Sequence, residues 1–346
     1  MPNQPVEVAP LDPKDDAQWA GYHRVTVDAQ LHERPYGDAP TADAFRVSFV
    51  RASQSSRTLG WTARLDGAVV GAAMAVLPMA DNTHLAFTEV NVIPSARRRG
   101  VGSALLAGLD DGLRATGRHT DLAEVPRPYA AAASDSPEAA GVGFARASGY
   151  ELAQTEVHFV LQSPLGLDLL GSLQAEVDAH IGDYRVGSWQ DRCPDEWVEQ
   201  VCALEEAFIA QAPMGDIDVE PEKWSEQRLR EKEEVRLARG QRSFISVAVA
   251  PDGSLAGNTD LVLSDATMRG GIFQSGTLVL PSHRGHRLGL ALKVANHRQL
   301  QAVEPAPRLV HTYSAEENTP MIAVNTRLGF RPVELNDEWQ RRTASE

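Results

Sequence analysis

Only two cysteines, Cys193 and Cys202, occur in 346 residues. That excludes a disulfide scaffold, and neither has His or Cys neighbours at zinc-ligand spacing. Lysine is also scarce: four of the 33 basic residues are Lys and the rest are Arg. The net charge of −14 argues against nucleic acid as a partner, since that needs a broad basic surface. It leans instead toward a cationic or amine ligand. No apolar run approaches the length of a membrane span. Met1-Pro2-Asn3-Gln4-Pro5 lacks the basic-then-apolar order of a secretory leader. The expectation is a cytoplasmic chain with no membrane partner. Its length suggests two domains, each with its own core.

Two related turns stand out against this plain background. Arg97-Arg98-Arg99-Gly100-Val101-Gly102-Ser103 follows a strand-like stretch, Phe87–Ile93, and opens a helix-like one. Arg284-Gly285-His286-Arg287-Leu288-Gly289 follows Gly276-Thr277-Leu278-Val279-Leu280 and opens another. A strand, an Arg/Gly turn and a helix start make an anion site, because unpaired N–H groups face outward at the positive end of the helix dipole. Glycine lets that backbone approach a phosphate.

The turns belong to a longer repeat. Trp19, Pro35, Pro94 and Gly149-Tyr150 recur as Trp197, Pro213, Pro281 and Gly329-Phe330, each about 180 residues on. The order predicts a duplicated domain: 1–162, a helical connector at 163–183, and 184–346. Each copy reads as a short strand, two helices, a hairpin at Asp66-Gly67 or Asp252-Gly253, the motif strand, turn and helix, then a fifth strand and a short helix. A last strand, 151–161 or 331–340, is expected to close each copy.

With these motifs the chain resembles the GNAT superfamily of acyl-CoA-dependent N-acyltransferases, in a tandem arrangement like that of mycothiol synthase. The family signature, Arg/Gln-x-x-Gly-x-Gly/Ala, is met fully by Arg97 to Gly102. The resemblance implies an α/β (α+β) fold of two domains. Each would be a twisted mixed sheet flanked by helices, with its fourth and fifth strands splayed, commonly at a bulge. It implies acetyl-CoA or another acyl-CoA as cofactor and direct transfer to a small-molecule amine, with positioning supplying much of the rate. It also implies a monomer whose halves mimic a dimer, or a homodimer. A non-catalytic acyl-CoA-binding protein, and an acetyltransferase for protein N-termini or lysines, are the alternatives.

In the first half the resemblance assigns the cofactor to Val90, Asn91 and Val92 of the fourth strand and to Arg97, Arg98, Arg99, Gly100, Val101, Gly102 and Ser103. A second site would involve Leu278, Leu280, Arg284, Gly285, His286, Arg287, Leu288, Gly289 and Asn318. There Arg287 replaces the signature's first glycine. Either its Cβ blocks backbone approach, or its guanidinium adds a phosphate contact. The family's usual Tyr acid is absent from both halves: Ala145 and Asn325 fall at its position, and Glu138 falls where the family has Asn. Glu89 on the fourth strand and Glu124 on the fifth are the candidate bases, set against structural carboxylates on a wet face. Tyr36 and His84 are candidates for the acceptor pocket, set against loop residues without a role. Tyr313 is either a replacement acid or a buried core phenol.

Overall fold

The computed structural model describes residues 5–51, 53–129 and 140–343. The first half runs β1 (Glu7–Pro10), α1 (Asp16–Gln30), α2 (Ala42–Val50), β2 (Ser56–Leu65), β3 (Ala68–Pro78), β4 (Leu85–Val92), α3 (Val101–Arg114), β5 (Thr120–Pro128), α4 (Ala140–Ala147) and β6 (Glu151–Ser163). α5 (Leu167–Asp178) follows. The second half repeats the order as β7 (Arg185–Gln190), α6 (Val198–Gln211), α7 (Glu226–Ala238), β8 (Gln241–Val249), β9 (Leu255–Ser264), β10 (Ile272–Val279), α8 (Leu288–Val303), β11 (Arg308–Ala315), α9 (Thr319–Leu328) and β12 (Arg331–Arg342).

Local chemistry sets these elements. Asp15 caps α1, its carboxylate accepting from the N–H groups of Ala17 and Gln18 at 2.9 and 3.1 Å. Asp66 and Gly67 both adopt positive φ, as a two-residue hairpin turn requires. α3 buries Leu105, Leu109 and Leu113 on one stripe against the sheet. α5 buries Leu170, Leu173 and Val177 in the second half's core. Cys193 and Cys202 are free and buried. Among the described residues no helix is long and apolar enough to cross a membrane.

All strands join one sheet, in the order β1-β2-β3-β4-β5-β12-β6-β11-β10-β9-β8-β7. This corrects the expectation that each copy closes itself. β12 pairs with β5 of the first half, β6 pairs with β11 of the second, and β6 and β12 pair with each other. The closing strands are exchanged. Because the copies share one strand order, each fifth strand has the same edge to cover, and the exchange leaves neither edge open. The seam of the molecule is therefore built from strands of both halves.

Candidate active site

β4 and β5 pair in parallel only from Leu85 opposite Thr120 to Thr88 opposite Ala123, then diverge. β10 and β11 pair only at Ile272–Val310 and Phe273–His311. The bulge expected at the divergence occurs only in the second half, between Gln274 and Thr277; β4 pairs with β3 without a shift. Both openings and both turns line one cavity of about 2110 Å³.

The turns share a backbone path. In the first, Arg98 and Gly100 take the left-handed region at φ 62° and 83°. In the second, Gly285 and Arg287 take it at 92° and 55°. Each turn uses two left-handed positions with glycine at one of them, and glycine has changed places. Arg287 thus keeps the path at a conformational cost of about 1–2 kcal/mol. A Cβ on Gly100 would meet no atom within 4 Å, so glycine there serves conformation. The first signature arginines also correspond: Arg97 Nε donates to the Val92 carbonyl and Arg284 Nε to that of Val279, both at 3.3 Å. Arg287 Nε lies 3.1 Å from Glu176 of α5, which also holds Arg327.

Among the cofactor candidates, Val90, Asn91, Val92, Arg97, Arg98, Gly100, Val101, Gly102 and Ser103 line the cavity. Arg99 does not, and faces Asp66 at 3.6 Å. A Cβ on Gly102 would stand 3.3 Å from the Phe144 ring, so glycine permits α4 to close on α3. In the second half Leu278, Arg284, Gly285, Arg287, Leu288, Gly289 and Asn318 line the cavity. Leu280 and His286 do not: Leu280 packs on the core, and His286 lies against Tyr184 with ring centres 4.8 Å apart. Asn318 caps α9 through the Met321 N–H at 3.3 Å. Glu138 lies outside the described residues.

Glu89 lines the cavity where β4 leaves β5, and it accepts from Gln30 Nε2 at 2.5 Å and Asn91 Nδ2 at 2.6 Å. Asn91 is thus partly committed to orienting Glu89. Burial pushes the Glu89 carboxyl above its ordinary range, against those hydrogen bonds. Glu338 of β12 stands opposite Glu124 of β5, and Asn336 stands opposite Glu156 of β6. Strand alternation puts all four on one face, and all four line the cavity. Asn336 Nδ2 donates to Glu124 at 3.0 Å. Burial, then Glu124, pushes Glu156 to about 7. Burial, then Glu156 and Glu124, pushes Glu338 to about 8, and its buried Oε2 has no hydrogen-bond partner.

Beside them Arg34 donates to both oxygens of Glu334, at 3.0 and 2.9 Å. His158 shares that carboxylate at 3.0 Å. Against burial, these two partners hold Glu334 at about 2. Tyr313 reaches the cavity stacked on His158 at 4.5 Å, and burial raises its phenol. Tyr36 lines the cavity, its hydroxyl accepting from Arg331 at 2.8 Å. His84 does not line it; its Nε2 lies 3.1 Å from the Asp218 carbonyl. The acceptor-pocket expectation for His84 has no support in that position. Glu156, Asn336 and Glu338 were missed in the sequence, although Gln154, Glu156, His158 and Glu334, Asn336, Glu338, Gln340 alternate as polar rows.

The profile of the acetyltransferase (GNAT) family matches residues 23–132. Comparison with curated proteins finds no match. A tandem GNAT protein from the clavulanic acid biosynthesis pathway, solved without acetyl-CoA, is 30% identical over 99% of this chain and 100% of its own, with a TM-score of 0.78. Two more distant structures share the fold. A GCN5-related N-acetyltransferase from Sphaerobacter thermophilus is 14% identical, covering 97% and 95%, at TM-score 0.65. Saccharomyces cerevisiae N-myristoyltransferase with bound myristoyl-CoA is 10% identical, covering 99% and 80%, at 0.60. With two matching turns, two splayed strand pairs and a full-length relative, the chain belongs to the GNAT acetyltransferase family in its tandem form.

Proposed function

We propose that this protein transfers an acetyl or other short acyl group from acyl-CoA to a primary amine of a small molecule. The observation that carries this reading is the meeting of Glu89, Glu124, Glu156 and Glu338 at the inner end of the β4–β5 opening. The nearby guanidinium of Arg34 is already claimed by Glu334. A cationic amine would satisfy these carboxylates, and burial already raises the proton affinity of Glu89, Glu156 and Glu338.

The first half is the proposed cofactor domain. Acyl-CoA supplies the thioester. The N–H groups at the start of α3, with Arg97 and Arg98, suit its phosphates. β4 beyond Thr88 has no β5 partner, which leaves backbone groups for a pantetheine arm and a developing oxyanion. Glu89, oriented by Gln30 and Asn91, takes a proton from the acceptor ammonium, directly or through water. The freed amine attacks the thioester carbonyl, the C–N bond forms and the C–S bond breaks, and the second nitrogen proton passes to the departing CoA thiolate to give free thiol. The units proposed are 1–162 and 184–346, joined by 163–183, with exchanged closing strands taking the place of a dimer seam.

Free thiol release from acetyl-CoA with a panel of mono- and diamines tests the reading. Amine-dependent release is expected, with the diamines favoured by the carboxylate face. Tight acetyl-CoA binding without turnover across the panel would overturn transfer in favour of a binding protein. A mass-shifted protein partner would redirect it to a protein acceptor.

A further inference from the structure

Lys293 is one of the largest fully buried side chains of the chain, only 1% exposed, and it lines the cavity from α8. Among the described residues it makes no hydrogen bond and no ion pair; its one polar contact is with the face of Phe330, at 5.8 Å. Counted from Gly100 and Arg287, it holds the place in α8 that Leu106 holds in α3. Leu106 packs there among Val142, Ala145, Tyr150 and Trp339. The fold therefore asks for an apolar side chain, and an unpaired buried amine in its place opposes folding. A neighbouring group is similarly unsatisfied: His297, one turn on, has no partner at either ring nitrogen.

The second turn lies at the start of the same helix. It keeps the left-handed path of the first, and β10 and β11 part beside it. We propose that Lys293 is an internal acyl acceptor, acylated on Nζ by an acyl thioester held in the second half. This rests on the acyl-CoA reading above. The Nζ lone pair attacks the thioester carbonyl carbon, the C–N bond forms, and the C–S bond breaks. The proton lost from nitrogen passes to the leaving thiolate. The products are an amide on Lys293 and free thiol, with no change of oxidation state. Burial alone lowers the Lys293 ammonium to about 7, so the nucleophilic free amine is available near neutral pH. The titratable neighbour acting with it is His297, which burial and then Lys293 push down to about 3 and which is neutral in that range.

The test is incubation of the full chain with acetyl-CoA at pH 8, without an amine, followed by peptide mass mapping. Acetylation approaching one group per chain is expected at Lys293, ahead of the exposed Lys14 and Lys223. Lys293→Met should lose it and still fold, because leucine stands at the matching position. Unspecific chemical acetylation would mark the exposed lysines first, and that result overturns the proposal. An unmodified Lys293 in protein that releases thiol with amines overturns it while leaving transfer by the first half standing. Absence of both acetyl-CoA binding and turnover overturns both.

Discussion

Glu338 of β12 stands directly opposite Glu124 of β5, although the two come from different halves of a duplicated chain. The exchange of closing strands brings this about. Had β6 closed its own half, the row facing Glu124 would have been Gln154, Glu156 and His158. The acidic seam is thus a property of the tandem and belongs to neither copy alone.

Glu156 and Glu338 should contribute stability at about pH 5 that is lost as pH rises toward about 8, against the opposite contributions of the buried Lys293, His297 and His311. Unfolded glutamates titrate at 4.5, whereas Glu156 and Glu338 in the fold titrate at about 7 and about 8. Between those values the folded chain holds more protons, so deprotonation favours unfolding. Glu338→Gln should flatten this slope. Allowing for solvent screening, about 1 kcal/mol is recovered at pH 8, or a few degrees in Tm. Thermal melts at pH 5 and pH 8 check it; equal slopes in both proteins would contradict the assignment. The same variant should raise KM for a diamine.

Glu89→Gln should lower turnover roughly a hundredfold and remove the low-pH limb of the rate profile. Burial raises this carboxyl, so the wild-type limb should lie above the ordinary glutamate range. Gln30→Ala, which removes one of the two donors to Glu89 Oε1 and leaves Asn91 in place, should raise that apparent pKa further. Unchanged limbs in both variants would exclude Glu89 as the base.

Much of the fold was legible because its signals are local. Asp66-Gly67 and Asp252-Gly253 announced hairpins, and each Arg/Gly turn announced a strand-to-helix junction. Partner choice between β6 and β12 was not legible, since both are closing strands at the same place in the repeat and no short motif says which fifth strand each will pair with. The site divided along the same line. Glu89 and Glu124 stood out as carboxylates on apolar strands of one half. Glu156 and Glu338 needed the exchange to become neighbours. The sequence left Arg287 open between blocking backbone approach and adding a phosphate contact; its left-handed backbone matches that of Gly100, so the path of the turn is kept. His84 is drawn to Asp218 by a contact between halves that no short motif encodes.

Gly100→Glu should abolish acetyl-CoA binding to the first half. The added side chain meets no protein atom near its Cβ, so it extends a carboxylate beside the anion site. Gly100→Ala separates the backbone effect. It should cost about 1 kcal/mol in stability through the left-handed φ of 83° while leaving measurable affinity. Calorimetric titration distinguishes the two. An unchanged number of bound acetyl-CoA molecules at unchanged affinity in Gly100→Glu would exclude the first turn as a cofactor site.

Arg341→Ala should loosen the first half, although Arg341 lies near the C-terminal end. Its guanidinium bonds to Asp121 of β5, reaches Asp110 of α3 at 2.5 Å, and covers the Tyr150 ring at 4.8 Å. Asp121 is 2% exposed, and removing its cation leaves a buried carboxylate unpaired. The expected cost is about 3 kcal/mol. Hydrogen exchange should accelerate in β5, α3 and β12, while β8 and β9 keep their protection because none of their ladder partners involves Arg341. Loss of protection confined to β8 and β9 would mean that β12 stabilises its own half, and the exchanged pairing with β5 would have to be abandoned.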